Sequence, residues 1–335
     1  MKKYVTDSDR KTFQEEFADR LPKKIFDAHV HIIKKSSCDF NFADTASYMS
    51  KFDYEFTTED FFAIGKELLP GIELSFCGFG MPRMDMNRTD AADIGVDNKR
   101  VFGLRLISAY DDVETVEKDI LQYKLCGIKP YHNMAYQNPD RPVELLDFFT
   151  PAQLEMVNRL KLAAVIHIPR KMRLEDPLNR KQMAYLCETY PDITFIFAHI
   201  GRAYYKRCAV GLVEEFIKYP NAYWDTAMIN SPEVLKYTFD HFPNERILFG
   251  TDMPISALHG KSIEINNQYL YLTPETFDLG TSLCDKSNQI TYVPFLYEQL
   301  RSILDLNLPQ KTLEDFFYNR AFNLFNSIAE RMYNK

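Results

Sequence analysis

The chain has no surplus of basic charge: 40 Lys and Arg stand against 47 Asp and Glu, a formal net charge of −7. That balance offers no general attraction to nucleic acid or to an anionic membrane surface. No apolar run approaches the roughly 18 residues needed to cross a bilayer. The opening MKKYVTDSDRKTFQEEF is basic but lacks the apolar centre of a signal peptide, so a cytoplasmic setting is expected. The six cysteines, Cys38, Cys77, Cys126, Cys187, Cys208 and Cys284, contain no CxxC pair and are widely spread. They read as reduced core residues, not as a disulfide frame or a zinc-thiolate site. There is no low-complexity linker, no evident repeat and no block of like charge. With 46% hydrophobic and 26% charged residues, a chain of 335 residues has the material for a large core and is not disordered.

What is present is an alternation. Eight short apolar runs read as strands: 25–32, 71–79, 100–108, 125–131, 162–168, 193–200, 221–228 and 246–253. Segments with helical spacing lie between them. TTEDFFAIGKELL opens with a cap-like Thr57, Thr58 and Glu59, and Val113, Val116, Ile120 and Tyr123 form one apolar stripe. NRKQMAYLCETY, YYKRCAVGLVEEFIKY and SPEVLKYTFDHF have the same character, the last with Ser231 as N-cap and Pro232 at the first helical position. Eight such units predict a (β/α)8 barrel. A doubly wound sheet would usually show a glycine-rich phosphate turn, and GxGxxG is absent. Residues 1–24 are expected to form an N-terminal helical arm and 25–335 the barrel. Two stretches exceed ordinary loop lengths, 33–56 after strand 1 and 254–294 after strand 8, and both are expected on the face where barrel loops build an active site.

The stretch IFDAHVHI, residues 25–32, looks like a buried strand yet carries Asp27, His29 and His31 on a single face. Buried polar groups are costly unless something pairs with them. A metal ion or a local hydrogen-bond network would serve. Further polar residues fall at strand ends: Lys129 on strand 4, His167 on strand 5, His199 on strand 6 and Asp252 on strand 8. Alone, each histidine could be a satisfied core residue, Asp252 a turn cap before Pro254 and Lys129 a rim lysine. In a barrel these ends converge on one small volume. Imidazoles with one carboxylate, and no cysteine, suit Zn²⁺ or a similar ion at a catalytic site with an open position.

The order of these residues, with the words FDAHVH, GIKPY, FIFAHIGR, YWDTA, LFGTDMP and the closing EDFFYNRAFNLF, resembles the amidohydrolase superfamily, in the branch called amidohydrolase family 2. That branch includes aminocarboxymuconate-semialdehyde decarboxylase and pyrone-dicarboxylate lactonase. The resemblance spans about residues 25–326. It implies one divalent metal, zinc before manganese, held by His29, His31, His167 and Asp252. Asp252 and His199 would be the catalytic groups, the first moving the proton of an activated water and the second acting as base or oxyanion partner. Lys129 would bind a substrate carboxylate in preference to bridging two metals as a carbamate. The resemblance also implies a homodimer.

The expected substrate is small and anionic. Lys129, His132, Arg170 and Arg202 are the candidate anchors, since Arg170 and Arg202 each lie three residues beyond a strand-end histidine and arginine grips carboxylates in a planar, paired contact. Arg83 and Arg105 are further candidates. Tyr131, Trp224 and Tyr204 could wall the pocket, and Asn266, Asn267 and Gln268 lean towards a hydroxylated substrate. The leading expectation is a metal-dependent hydrolase of a lactone, ester or amide. The alternatives are a non-oxidative decarboxylase of the same branch and a barrel that binds a ligand without chemistry.

Overall fold

The structure is a computed structural model and describes residues 5–37, 48–81, 92–277, 279–287 and 289–333. Eight parallel strands run in the order β1 to β8: Lys24–His31, Glu73–Phe79, Val101–Ile107, Gly127–Pro130, Ala163–Ile166, Thr194–Phe197, Ala222–Asp225 and Ile247–Leu248. The ring closes where the chain beyond β8 bonds back to β1. Ala28 donates to the Phe249 carbonyl, Asp252 to that of His29 and His31 to that of Met253. The expected (β/α)8 barrel is therefore the architecture. Every residue of β1 after Lys24 is buried, as the near-continuous apolar run requires when both faces are covered.

The helices between the strands start where side chains can satisfy their first amides. Thr57 and Asp60 form a reciprocal cap on Thr58–Leu68, Asp112 caps Val113–Gln122, and Thr150 caps Pro151–Arg159. Asp176 caps Pro177–Thr189 and Ser231 caps Pro232–His241, with proline in the first turn of each. Val116 and Ile120 are buried as their stripe predicts. One expected helix is missing. YYKRCAVGLVEEFIKY forms two short 3-10 turns, Lys206–Cys208 and Glu214–Phe216, with Gly211 at φ +76° between them, a backbone value incompatible with a continuous helix.

The long stretch after β8 is itself structured. It contributes a second, four-stranded sheet in the order β11-β10-β9-β12: β9 His259–Ile265, β10 Gln268–Thr273, β11 Ser282–Cys284 and β12 Val293–Pro294. Asn266 and Asn267, at φ +54° and +57°, are the two central residues of the tight β9–β10 hairpin. Two consecutive left-handed residues are what such a turn demands, and Asn tolerates them. Their sequence role is thus structural, and they and Gln268 are exposed.

Gly127 begins β4, two residues before Lys129. A Cβ there would lie 2.0 Å from the Ala163 carbonyl oxygen of β5, a backbone atom that cannot move aside. Gly127→Ala is expected to cost about 3 kcal/mol, read as a lower melting temperature than that of the native protein. An unchanged melting temperature would show that β4 and β5 are not this close.

Candidate active site

His29 is the centre of the polar cluster. Its ring Nδ1 lies 2.9 Å from Asp225 Oδ2, so Nδ1 carries the proton and donates to the carboxylate. The Nε2 lone pair is then left over, and this buried atom has no hydrogen-bond partner among the described residues. His31 Nε2 is 2.9 Å from Asp252 Oδ1, and His29 Nε2 is 3.4 Å from the same oxygen. His167 Nε2 and His199 Nε2 face each other at 2.6 Å. Two sets of donor atoms, His29/His31/Asp252 and His29/His167/His199, each lie within 4.8 Å and share His29. Strand geometry explains the convergence. His29 and His31 lie two apart at the end of β1, where its pairing with β2 shifts register between Asp27 and Val30, and Gly250 makes room, since a Cβ there would come within 3.0 Å of His29 Cβ.

The backbone is bent to bring His199 in. Predicted strand 6 stops at Phe197, and His199, Ile200, Gly201 and Arg202 all adopt positive φ between 48° and 61°. Such a left-handed turn costs about 1–2 kcal/mol per residue other than glycine. Asp225 compensates: its Oδ1 accepts from the His199 amide at 2.8 Å and from Ala227 at 3.1 Å. His199 Nδ1 donates to the Ala227 carbonyl at 2.7 Å, which aims Nε2 into the cluster. Asp252 is likewise left-handed, at φ +67°; its carboxylate goes to the histidines and does not merely cap a turn. Asp27 ties β1 to the chain beyond β8, accepting from the His29 amide at 3.0 Å, from the Thr251 amide at 2.9 Å and from the Thr251 hydroxyl. Burial raises its carboxyl to about 7.

Burial also sets the protonation of the cluster. It lowers His29 to about 4, His167 well below the ordinary imidazole value, and His199 in the same direction, so these rings keep free lone pairs at neutral pH. Burial alone would raise Asp252, but the His31 hydrogen bond and the neighbouring His29 and His199 outweigh it and hold the carboxyl below its usual range. Asp225 is held ionised in the same way, chiefly through His29. Lys129 is fully buried, with Nζ 3.5 Å from His167 Nδ1 and near the faces of Phe79 and Tyr131. Desolvation pushes it down to about 7 against the pull of Asp225 and Asp252.

Of the expected anchors, Lys129 and Tyr131 lie in the cluster, Tyr131 with its hydroxyl 3.3 Å from His31 Nδ1. Arg202 is adjacent and donates to the Ile168 carbonyl. The others do not converge. His132 is exposed on a 3-10 turn. Arg170 is committed to Asp176 at 2.8 Å. Arg105 points away to Asp111 and Asp119 at 2.6 and 3.0 Å, and Trp224 packs on Phe197, Phe216 and Phe242. Strand parity accounts for Trp224: it neighbours the inward Asp225, so it faces the helices. Arg83 and Cys38 lie outside the described residues. Tyr204 does wall the site, its ring centre 5.9 Å from that of His199, and stacks on Tyr269 of β10 at 4.2 Å. Sequence reasoning missed Asp225, although it stands at the end of a strand-like word, YWDTA, as Asp252 does in LFGTDMP. It also missed Arg173 and Tyr269.

Comparison with known proteins bears on the fold and the family. The structure resembles a probable 2-pyrone-4,6-dicarboxylic acid hydrolase from Acinetobacter baumannii, solved with citric acid bound, at 12% identity over 90% of this chain and 98% of that one, with a TM-score of 0.57. It resembles an amidohydrolase 2 from Bifidobacterium longum subsp. infantis at 15% identity, 91% and 99% coverage and TM-score 0.56. A third likeness is 5-carboxyvanillate decarboxylase from Sphingomonas paucimobilis, at 12%, 91% and 99%, with TM-score 0.58. At these identities the likeness is one of fold. No curated protein sequence matches. Among the described residues no helix is long and apolar enough to cross a membrane. The sequence model of one family, described as amidohydrolase (Amidohydro_2), matches residues 85–279, more than half of the chain; that span holds Lys129, His167, His199, Asp225 and Asp252 and starts downstream of His29 and His31. On that match the chain belongs to the amidohydrolase family.

Proposed function

We propose that the protein is a metal-dependent hydrolase of the cytoplasm, cleaving a lactone, ester or amide bond in a small carboxylate-bearing substrate. The observation that carries this reading is the buried, unpartnered Nε2 of His29, surrounded by the ring nitrogens of three other histidines and the Asp252 carboxylate. An apolar interior would not leave that lone pair unmatched, and a cation fits it. One divalent ion, zinc or manganese, held by His29, His31, His167 and Asp252, would supply Lewis-acid polarisation of the scissile carbonyl and a water activated near neutral pH.

The chain's own groups do the rest. Asp252 is ionised and can take a proton, then return it to the leaving oxygen or nitrogen. His199 has committed its Nδ1 proton to Ala227, so Nε2 serves as base or relay and not as an oxyanion donor. Asp225 fixes the His29 tautomer, the kind of outer support that keeps a ligand's ring aimed. Lys129, Tyr131 and Arg202 are the groups placed to receive a substrate carboxylate. The hydroxyl-rich wall of Tyr204, Tyr269 and Tyr271 suits a polar substrate better than a purely aromatic one, which favours hydrolysis over decarboxylation.

Metal analysis of protein purified without a histidine tag or chelator is expected to give about one equivalent of zinc or manganese per chain. Two equivalents would overturn the single-ion arrangement, and none, with no activity on adding metal, the whole reading. Asp225→Asn turns a hydrogen-bond donor towards His29 Nδ1 and forces the proton onto Nε2. Zinc affinity, measured by competition with a chromophoric chelator, is expected to fall tenfold to a hundredfold; an unchanged value would remove His29 from the ligand set. A screen of lactones, esters and amides beside aromatic acids is expected to show acid release without CO₂. Asp252→Asn is expected to slow that release at least a hundredfold with circular dichroism unchanged. CO₂ evolved from an aromatic acid, with no hydrolysis, would make the enzyme a decarboxylase.

A further inference from the structure

Residues 167–180, the loop after β5 and the first turn of the helix Pro177–Thr189, carry three arginines, Arg170, Arg173 and Arg180, but only two acids, Glu175 and Asp176. Both acids are taken. Asp176 pairs with Arg170 at 2.8 Å. Glu175 pairs with Arg207 at 3.0 Å and accepts from the Tyr205 hydroxyl and Cys208 Sγ. Arg180 reaches outside the loop to Glu215 at 2.9 Å. Arg173 is left over, and among the described residues its guanidinium has no ion-pair partner. It is half-buried, with its guanidinium carbon 5.0 Å from the ring centre of Tyr204 and 5.4 Å from that of Tyr269.

Those rings are the wall beside His199. A guanidinium lying over aromatic faces is oriented by them and still keeps its N–H edge available. The backbone holds the side chain in this place at a conformational cost. Arg173 sits at φ +58°, in the left-handed region that a residue with a Cβ disfavours, pinned by its amide on the Arg170 carbonyl and by Asn179 Nδ2 on its own carbonyl, both at 2.8 Å. Arg202, which also has no acidic partner among the described residues, flanks the same Tyr204 through its influence on that hydroxyl. The surplus positive charge of this rim is therefore gathered around one tyrosine next to the histidine cluster.

We propose that Arg173 is a specificity-determining residue, receiving a carboxylate on the part of the substrate that lies against the Tyr204–Tyr269 wall, away from the reacting bond. The inference rests on the hydrolase reading only in taking the His29 cluster as the reacting centre. Arg170, neutralised by Asp176, has no such role.

The test is isothermal titration with the flexible dicarboxylates from succinate to pimelate, each beside its monoamide, so that the unknown spacing is sampled and no turnover is needed. At least one dicarboxylate is expected to bind the native protein about tenfold more tightly than its monoamide, in keeping with a charge-assisted hydrogen bond. That preference is expected to fall below threefold in Arg173→Gln and in Arg173→Gly, the second of which accepts the positive φ and so folds without strain, and to persist in Arg170→Gln. A preference that survives both Arg173 variants, or a native protein that shows none for any pair, would overturn the inference. An Arg173-dependent preference in a protein that releases no acid in the hydrolysis screen would overturn the hydrolase reading and leave this one standing.

Discussion

The carboxylate of Asp225 is the point on which the barrel and the site both depend. Alone in a fully buried position it would be prohibitive, yet it accepts from three donors: the His29 ring, the His199 amide and the Ala227 amide. Those bonds join β1, the turn after β6 and the end of β7 at one atom pair. They also decide chemistry. Because the carboxylate takes the Nδ1 proton, His29 offers Nε2; because it holds the His199 amide, the chain can pass through four consecutive left-handed residues. The strain of that turn and the freedom of that lone pair have a common cause.

Much of the fold was legible because its determinants are local. Eight apolar runs, helix caps at Thr57 and Ser231 and the 3.6-residue stripe at Val116 and Ile120 all read directly from residue type and spacing. The failures are where distant atoms overrule local preference. Strand 6 ends early because Asp225, 26 residues on, captures the His199 amide. The segment 204–219 has helical spacing, but Gly211 breaks it. The polar face of IFDAHVHI is resolved by four separate partners: Thr251 for Asp27, Asp225 for His29, and Asp252 with Tyr131 for His31. No window around residues 25–32 contains any of them.

The site was legible to a different degree for histidines and for arginines. His29 and His31 are already placed, since the strand that carries them fixes where their side chains point, whereas His199 also needs the Asp225 contact. An arginine on a loop is placed by whichever carboxylate reaches it. Spacing singles out Arg170, three residues beyond His167, and passes over Arg173; the Asp176 contact reverses that choice. Arg105 lost its candidacy to Asp119 on the following helix. Trp224 could have been assigned from strand parity once Asp225 was recognised as the inward residue. The signal was in the sequence but needed the neighbour's role first.

The second sheet changes what kind of pocket this is. Read from the sequence, residues 254–294 are a long stretch on the active-site face whose Asn266 and Asn267 lean towards a hydroxylated substrate. In the structure the asparagines make the hairpin turn, and the next residues on β10 put Tyr269 and Tyr271 side by side, Tyr269 against Tyr204 and Tyr271 against Phe295. The sheet is braced from elsewhere: His259 at its start bonds both oxygens of the buried Asp9 on the N-terminal helix Asp7–Glu16, and Glu275 beyond β10 pairs with Lys51 from the stretch after β1. A wall held at that many points selects by fixed position. On the proposed reading, its hydroxyls and the guanidinium lying over it would meet a substrate already desolvated and oriented, where a charged contact counts for more than it would on a flexible loop.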